Sequence, residues 1–215
     1  QPFEDAFRLL RELVETLRGD GHTISHVDIG GGLGIPYKED NNPPPLPDAY
    51  AQVVRKHVTK LGLKVMFEPG RLIVGNAGIL VSEVIFVKEG DAKNFLVVDA
   101  AMNDLIRPTL YDAFHDIRPV VQPPADTPRM MVDVVGQVCE TGDYLGLDRD
   151  LPRLKAGDLV AVSTAGAYGA VQAGTYNTRL LVPEVLVDGD RFHVVRPRLT
   201  YDDLIGLDSV PDWLA

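Results

Sequence analysis

Glycines cluster directly after an apolar run near the start of the chain. Four of the five residues from Gly30 to Gly34 are glycine, and residues 24–29 before them have the composition of a short strand. Glycine lets a backbone approach a ligand closely and point several N–H groups at an anion. The cluster therefore predicts a phosphate site, with a tight turn packed against a helix as the alternative. A dinucleotide site is disfavoured, because Ile35 stands where the last glycine of that fingerprint belongs.

A carboxylate and a guanidinium follow the next apolar run. Residues 64–67 have the composition of a buried strand, and Glu68-Pro69-Gly70-Arg71 comes directly after it. Parallel barrels place their functional residues at this end of a strand. A turn with a surface ion pair is the alternative, but two anion-suited loops after successive strands favour a ligand site.

Arg107 and Tyr111 form a pair suited to binding a carboxylate. They are four residues apart beside Pro108, so a helical turn would put both side chains on one face. A guanidinium binds a carboxylate through two hydrogen bonds, and a phenol hydroxyl can donate a third. The alternative is a surface helix with an aromatic side chain packed beneath it.

Two more places in the second half carry candidate side chains. Cys139 alone would predict a small buried hydrophobic residue, but Glu140 follows it directly and Asp143 stands close by. Tyr168 stands among alanines and glycines, so it is either a core aromatic or a hydroxyl whose small neighbours let it reach a ligand. The remaining histidines have no metal-ligand spacing, so surface or packing roles are predicted for His22, His57, His115 and His193.

The first part of the sequence has the pattern of a parallel α/β fold. Apolar residues recur at helical spacing from Phe3 to Leu17, and Gly19 ends this amphipathic helix. The elements predicted next are a strand at 24–29, a proline-rich loop at 41–47, a helix that begins at Pro47, and a strand at 64–67. A strand, a helix and a second strand in succession predict a parallel pair.

From about Ile79 the pattern changes to strands joined by turn residues. Glycine at Gly90 and Gly189, each between two acidic residues, predicts hairpin turns. Thr200 and Asp203 have the spacing of a helix capping box. We therefore predict a mainly antiparallel β domain that begins near residues 75–80. The predicted strands are 79–87, 95–98, 130–138, 159–162, 180–187 and 192–195.

Composition disfavours some classes of partner. The 215 residues carry a formal net charge of -10, which on average repels nucleic acid and anionic lipid surfaces. No apolar run approaches the roughly 20 residues of a membrane span, and the first residues lack the pattern of a signal peptide. The single cysteine cannot form an intrachain disulfide. We therefore expect a cytoplasmic protein without nucleic-acid or membrane partners.

Five motifs, in order, resemble those of the diaminopimelate decarboxylases, which use pyridoxal phosphate. They are His26-Val27-Asp28-Ile29-Gly30-Gly31-Gly32-Leu33-Gly34, Glu68-Pro69-Gly70-Arg71, Arg107-Pro108-Thr109-Leu110-Tyr111, Cys139-Glu140-Thr141-Gly142-Asp143 and Ala165-Gly166-Ala167-Tyr168. The resemblance covers nearly the whole chain and implies an alanine-racemase-like fold of class α/β plus β. Residues 1–78 would be the C-terminal part of the cofactor-binding (β/α)8 TIM barrel, and residues 79–215 a mainly antiparallel β domain. The last segment is a candidate to return to the barrel.

The resemblance also implies roles for individual residues. The cofactor phosphate would be surrounded by Gly30, Gly31, Gly32, Gly70, Arg71 and Tyr168. The substrate would be contacted by Arg71, Arg107, Tyr111, Glu140 and Tyr168. Glu68 would keep the pyridine nitrogen protonated, which makes the ring a better electron sink. Arg107 and Tyr111 would hold a distal carboxylate and Glu140 a distal ammonium, while Cys139 would lie near the protonation step.

The implied activity is decarboxylation of meso-2,6-diaminopimelate to L-lysine and CO2, the last step of lysine biosynthesis. Related enzymes are homodimers with shared sites, so Cys139, Glu140 and Tyr168 would enter the neighbouring subunit's site. The family also needs a lysine that binds the cofactor covalently and a histidine that stacks on it. Lys64 is at the wrong end of its strand for this, about 13 Å from Glu68. We therefore expect the lysine to precede Gln1 and the 215-residue chain alone to be inactive.

Two alternatives stay open. Ornithine and arginine decarboxylases are the nearest relatives in activity, but they lack the Arg-Pro-x-Leu-Tyr run because their substrates have no distal carboxylate. Their cysteine is also typically followed by Asp, where this sequence has Glu140. The other alternative is a catalytically inactive homologue that binds and regulates a decarboxylase. In such a protein the active-site residues could be replaced without loss of function. A cofactor-binding lysine upstream of Gln1 would argue against an inactive homologue.

Overall fold

The computed structural model describes residues 2–38 and 44–214, and the chain divides into two compact units, Gln1–Gly78 and Ile79–Ala215. Part of the proline-rich loop predicted at 41–47 lies outside the described residues. Each unit is described by itself.

The first unit alternates helices and strands. Its helices are α1 (Pro2–Gly19), α2 (Pro47–His57) and α3 (Gly70–Val74), its strands are β1 (His26–Asp28) and β2 (Lys64–Met66), and 3-10 turns lie at Thr59–Leu61 and Gly75–Ala77. The two strands pair in parallel, with Val27 opposite Val65. Parallel strands need a crossover connection, which α2 provides. Both strands are shorter than predicted. The second is not buried within this unit, because a two-stranded sheet leaves Lys64 and Met66 exposed.

The core of the first unit is built on the apolar face of α1. Phe7 and Val14 are buried, as their helical spacing predicted, and the helix ends at Gly19. Phe3 and Phe7 meet the ring of Tyr50 edge-on, with ring centroids 5.0 and 5.7 Å away. Tyr50 thereby packs α2 against α1, beside β1.

The second unit is mainly antiparallel, as predicted. Its strands are β3 (Leu80–Lys88), β4 (Phe95–Val98), β5 (Ile117–Pro119), β6 (Arg129–Val135), β7 (Tyr144–Pro152), β8 (Leu159–Val162), β9 (Glu184–Asp188) and β10 (Arg191–Arg196). Its helices are α4 (Arg107–Tyr111) and α5 (Tyr201–Ile205), with 3-10 turns at Ala170–Gln172, Tyr176–Thr178 and Asp212–Leu214. Six strands form one sheet in the order β5-β8-β3-β4-β6-β7, in which only the β4–β6 pair is parallel. Strands β9 and β10 form a separate hairpin.

The sheet encloses an apolar core of alternate side chains. Fully buried members include Val84, Val98, Leu105, Val134, Leu145, Val160 and Val162. These residues come from five of the six strands and from the loop before α4, so the core fixes that loop against the sheet.

Predicted and observed strands differ mainly at two places. Strands β4 and β8 have the predicted bounds, and the two hairpin turns and the Thr200–Asp203 capping box are confirmed. Strands β5 and β7 were not predicted. The sequence of β7 contains Asp148-Arg149-Asp150, a charged run that is untypical of a strand. Its charge is accommodated on the sheet, because Asp150 accepts a hydrogen bond from Arg129 of β6 at 2.8 Å.

Candidate active site

The glycine run and the Glu68 motif lie side by side in the first unit. The strands β1 and β2 are parallel, so both loops leave the same edge of the sheet. The backbone N–H of Glu68 donates to the carbonyl of Gly30 at 2.8 Å. A Cβ atom on Gly31 would lie 2.0 Å from the carbonyl oxygen of Glu68, so only glycine fits there. The two motifs therefore form one continuous surface.

This edge leaves backbone accessible to a ligand. Gly30 and Gly32 have left-handed φ angles of 66° and 82°, which glycine adopts without strain. Among the described residues, no atom outside the adjacent backbone lies within 4 Å of where a Cβ would stand on Gly30 or on Gly70, so both positions are open. The Glu68 side chain is exposed and Arg71 is half-buried. The edge thus combines open glycine backbone with a carboxylate and a guanidinium.

An apolar cavity of about 330 Å³ adjoins the same two loops. Its lining includes Gly30, Gly31, Pro69 and Tyr50. The Tyr50 hydroxyl is buried and has no hydrogen-bond partner among the described residues. Burial, followed by the nearby Asp28 carboxylate, raises the pKa of Tyr50, so the hydroxyl stays a neutral donor.

In the second unit Arg107 begins the short helix α4. The predicted helical turn is confirmed, with Pro108 in its first turn. Arg107 is only 6% exposed, whereas Tyr111 is 61% exposed. The alternative of a surface helix over a packed aromatic is therefore wrong. The guanidinium is inside and the phenol ring is outside.

His115 holds the buried guanidinium. Its Nε2 lies 2.9 Å from Arg107 Nη1, and its Nδ1 lies 2.9 Å from the carbonyl oxygen of Ser163. A guanidinium can only donate, so Nε2 accepts, and the proton is on Nδ1, which donates to Ser163. The ring is fully buried, and this burial, with the charges of Arg107 and Arg149, lowers the pKa of His115. The imidazole is neutral.

The packing role predicted for His115 misses this contact. No spacing rule pairs the two residues, because the chain reverses at Asp112, which has a left-handed φ of 51°. The one signal in the sequence is a histidine soon after an arginine predicted to bind an anion.

The loop that carries Cys139 and Glu140 is fixed by Asp143. The buried Asp143 carboxylate accepts from the backbone N–H of Met102 at 2.7 Å and of Val138 at 2.6 Å. Cys139 and Glu140 are both exposed, so the alternative of a small buried hydrophobic residue is wrong for Cys139. A hydrogen bond from the Thr141 hydroxyl is the main cause that lowers the pKa of Glu140. Glu140 is therefore an accessible carboxylate.

A direct hydrogen bond joins α4 to this loop. The Thr109 hydroxyl donates to the carbonyl of Gly142 at 2.5 Å. The Tyr144 hydroxyl donates to the carbonyl of Pro108 at 3.3 Å. A Cβ on Gly142 would lie 2.8 Å from the Thr109 methyl group, so the approach requires glycine. The helix of Arg107 and the loop of Cys139 are thus one packed assembly.

Tyr168 approaches the same assembly on a strained backbone. Its φ is 60°, and Thr164 in the same loop has a φ of 59°. Such conformations cost about 1–3 kcal/mol each for residues other than glycine and cluster at functional sites. The Tyr168 ring centroid lies 6.0 Å from the Arg107 guanidinium carbon, and the side chain is half-exposed. Three elements of the second unit therefore converge around Arg107.

Comparison with known proteins identifies the family. A family model described as pyridoxal-dependent decarboxylase, C-terminal sheet domain, matches residues 19–166, more than half of the chain. The chain belongs to the pyridoxal-dependent decarboxylases. The diaminopimelate decarboxylase of Pseudomonas aeruginosa is 48% identical over 98% of this chain and 49% of that protein. That of Zymomonas mobilis is 44% identical over 99% of this chain and 50% of that protein.

A solved decarboxylase has the same fold. The diaminopimelate decarboxylase of M. jannaschii in co-complex with L-lysine superposes with a TM-score of 0.92 at 34% identity, covering 100% of this chain and 50% of that one. The predicted fold class is confirmed: the C-terminal portion of a (β/α)8 barrel followed by a mainly antiparallel β domain. The chain spans about half the length of the curated relatives it matches.

The cofactor of these decarboxylases is pyridoxal phosphate, as predicted. The sheet edge formed by residues 30–34 and 68–71, here called the glycine edge, fits this cofactor. Open left-handed glycine backbone can cradle a phosphate, and the positions of Gly30 and Gly70 leave room for one. Glu68 and Arg71 supply a carboxylate and a cation at the same edge. Among residues 2–38 and 44–214, no cluster of His, Cys, Asp or Glu could hold a metal ion. Over the same residues, no helix has the length and apolar character needed to cross a membrane.

Proposed function

We propose that the full-length protein is a diaminopimelate decarboxylase that converts meso-2,6-diaminopimelate to L-lysine and CO2. The names of the relatives support this, as does L-lysine in the M. jannaschii complex. The observation that carries the proposal is the buried Arg107 guanidinium, joined through α4 to the loop of Cys139 and Glu140. Such a group suits a substrate with a second carboxylate.

In this proposal residues 1–78 are the C-terminal part of the cofactor-binding barrel and residues 79–215 the β domain. The division of the chain into two compact units supports these limits. The bound cofactor supplies an electron sink for the electron pair left when CO2 departs. Gly30, Gly31, Gly32, Gly70 and Arg71 bind its phosphate, with Tyr168 as a further donor. Glu68 would supply the carboxylate that keeps its pyridine nitrogen protonated.

Arg107 binds the distal carboxylate of the substrate in this scheme. A guanidinium in a low-dielectric setting attracts a carboxylate more strongly than an exposed one does. The Tyr111 hydroxyl adds a donor at the exposed end of the same helix. Arg71 and Tyr168 complete the substrate contacts.

Glu140 and Cys139 act at the other charged groups. The lowered pKa of Glu140 keeps it anionic, so it can bind the distal ammonium of the substrate. Cys139 carries an accessible thiol one residue away, where it can hold a proton near the reacting carbon. These assignments rest on the motif resemblance and on the exposure of both side chains.

We also infer that the protein is a homodimer with shared active sites. We infer a cytoplasmic location for it. Cys139, Glu140 and Tyr168 are exposed on their own unit, as residues that reach into a neighbouring subunit must be. The free thiol of Cys139 is typical of proteins in a reducing compartment such as the cytoplasm.

The test is an assay of the full-length, cofactor-loaded protein with meso-diaminopimelate, ornithine and arginine as alternative substrates. We expect release of CO2 and L-lysine from diaminopimelate and far lower turnover of the other two. Preferential turnover of ornithine or arginine would reassign the substrate. No turnover of any of the three would favour an inactive regulatory homologue.

A further inference from the structure

His115 connects two of the elements that form the candidate site. On one side its Nε2 accepts a hydrogen bond from Arg107 at the start of α4. On the other side its Nδ1 donates to Ser163, directly before the strained loop that carries Tyr168. Each ring nitrogen therefore has one defined partner, and the neutral Nδ1-protonated tautomer satisfies both.

The ring itself is held rigidly. The backbone N–H of Ser163 donates to the carbonyl of Asp116 at 2.8 Å, and Ile117 pairs with Val162 across β5 and β8. The segments on either side of the His115–Ser163 bond are thus tied by the sheet. The imidazole is fully buried, so its orientation is fixed by packing as well as by hydrogen bonds.

Charge around the ring favours the neutral form. Among the described residues, Arg107 and Arg149 are charged groups that lower the pKa of His115, and both are cations. Arg149 is itself placed by stacking on the ring of Phe114, with its guanidinium carbon 3.9 Å from the ring centroid. A proton on Nε2 would point at the Arg107 guanidinium, which can only donate hydrogen bonds, so protonation there is disfavoured. The Nε2 lone pair therefore stays available to accept from Arg107.

We propose that His115 is a positioning residue, which orients the Arg107 guanidinium toward the distal carboxylate of the substrate. This inference rests on the proposed function, because it requires that Arg107 bind that carboxylate. A guanidinium on a flexible stem must be held in one orientation to bind a carboxylate through two hydrogen bonds. Using one N–H toward His115 fixes which of the other N–H groups point to the ligand.

Two amide replacements separate the two hydrogen bonds of His115. In His115→Gln the amide oxygen reaches the Nε2 position and can accept from Arg107. In His115→Asn the amide nitrogen can still donate to Ser163, but the side chain stops short of Arg107. We expect His115→Asn to lower kcat/KM for diaminopimelate about tenfold, mainly through KM, and His115→Gln to lower it by less than about threefold.

A double-mutant cycle with Arg107→Ala distinguishes positioning from general packing. If His115 acts through Arg107, His115→Asn should change kcat/KM by less than about twofold in the Arg107→Ala background. An equal loss in both backgrounds would overturn the inference. His57→Asn is the matched control, since His57 is also a buried histidine but lies on α2 of the first unit and makes no hydrogen bond to Arg107 among the described residues, and it should leave KM unchanged.

The measurements use the full-length holoenzyme, with thermal unfolding and cofactor absorbance as checks on folding. Should His115→Asn not fold, His115→Met replaces it, because Met fills a similar volume and its thioether sulfur is only a weak acceptor. Wild-type enzyme that turns over diaminopimelate together with an unaffected KM in the Asn or Met variant would overturn this inference alone. Wild-type enzyme that does not turn over diaminopimelate would overturn both this inference and the proposed function.

Discussion

Arg107 is a buried cation on which the candidate site residues of the second unit converge. Its guanidinium meets the neutral ring of His115, lies near the ring of Tyr168, and is carried by the helix that is bonded to the Cys139 loop. Burying a charge costs free energy unless the charged group is hydrogen-bonded. The hydrogen bond to His115 offsets part of that cost for Arg107.

Replacement of Arg107 tests its proposed role in substrate binding. We expect Arg107→Ala to cost about 1.5–3 kcal/mol of transition-state stabilisation for diaminopimelate, the usual value of a charge-assisted hydrogen bond. The measurement is kcat/KM of the full-length enzyme. Arg118→Ala is the control, because Arg118 is an exposed arginine on β5 and should leave kcat/KM unchanged. An unchanged kcat/KM in Arg107→Ala would contradict the assignment of the distal carboxylate.

His115 should also make stability depend on pH. Its pKa is lowered in the folded state, so below the ordinary imidazole value of about 6.5 the unfolded chain binds a proton that the folded chain resists. Stability therefore falls as the pH falls below that value, by at most about 1.4 kcal/mol per pH unit. We expect the free energy of unfolding to decline more steeply from pH 7 to pH 5 in wild-type protein than in His115→Gln. Parallel pH curves would show that the ring titrates normally.

At the scale of elements, the bond between α4 and the Cys139 loop joins two groups of site residues. We expect Thr109→Val, which removes the donor to Gly142, to cost about 1 kcal/mol of stability and to lower kcat/KM. Thr109→Ser keeps the hydroxyl and should retain activity. Denaturant unfolding and steady-state kinetics measure the two effects. Equal behaviour of the Val and Ser variants would mean that the hydrogen bond does not orient the loop.

Tyr50 offers a complementary test in α2. Its buried hydroxyl has no partner among the described residues, so Tyr50→Phe should raise the free energy of unfolding of the cofactor-free protein by about 1 kcal/mol. The measurement is denaturant unfolding without and with pyridoxal phosphate. A destabilised variant, or one with weaker cofactor affinity, would show that the hydroxyl has a partner in the loaded protein.

The sequence predicts elements whose causes are local. Pro108 and the spacing of Arg107 and Tyr111 are enough to predict α4, and the residues of the glycine edge follow from strand and loop patterns. Strand β7 could not be predicted, because the partners of its charged side chains come from distant parts of the sequence: Arg129 of β6 for Asp150 and the ring of Phe114 for Arg149. His115 was missed for the same reason, since its partners depend on how the chain returns after Asp112. Contacts between distant segments decide these features.

At the scale of the whole molecule, the proposed homodimer with shared sites would make activity a property of the dimer. We expect Glu68→Ala and Glu140→Ala chains to be inactive separately and to recover about a quarter of wild-type activity after mixing and reassociation. Half of the reassociated dimers are mixed, and each would contain one intact site. Cys139→Ala mixed with Glu140→Ala is the control, because both changes fall in the same unit and cannot complement. Proven mixed dimers without recovered activity would contradict sharing.

The approach of Gly31 to Glu68 has a consequence for engineering. A methyl group at position 31 would overlap the carbonyl oxygen of Glu68, so the backbone of each loop limits the conformation that the other can adopt. Neither loop can be transplanted from a relative by itself unless the donor keeps the same backbone clearance. Exchange of the proposed cofactor-binding loops among these decarboxylases should therefore succeed only when residues 30–34 and 68–71 are moved as a pair.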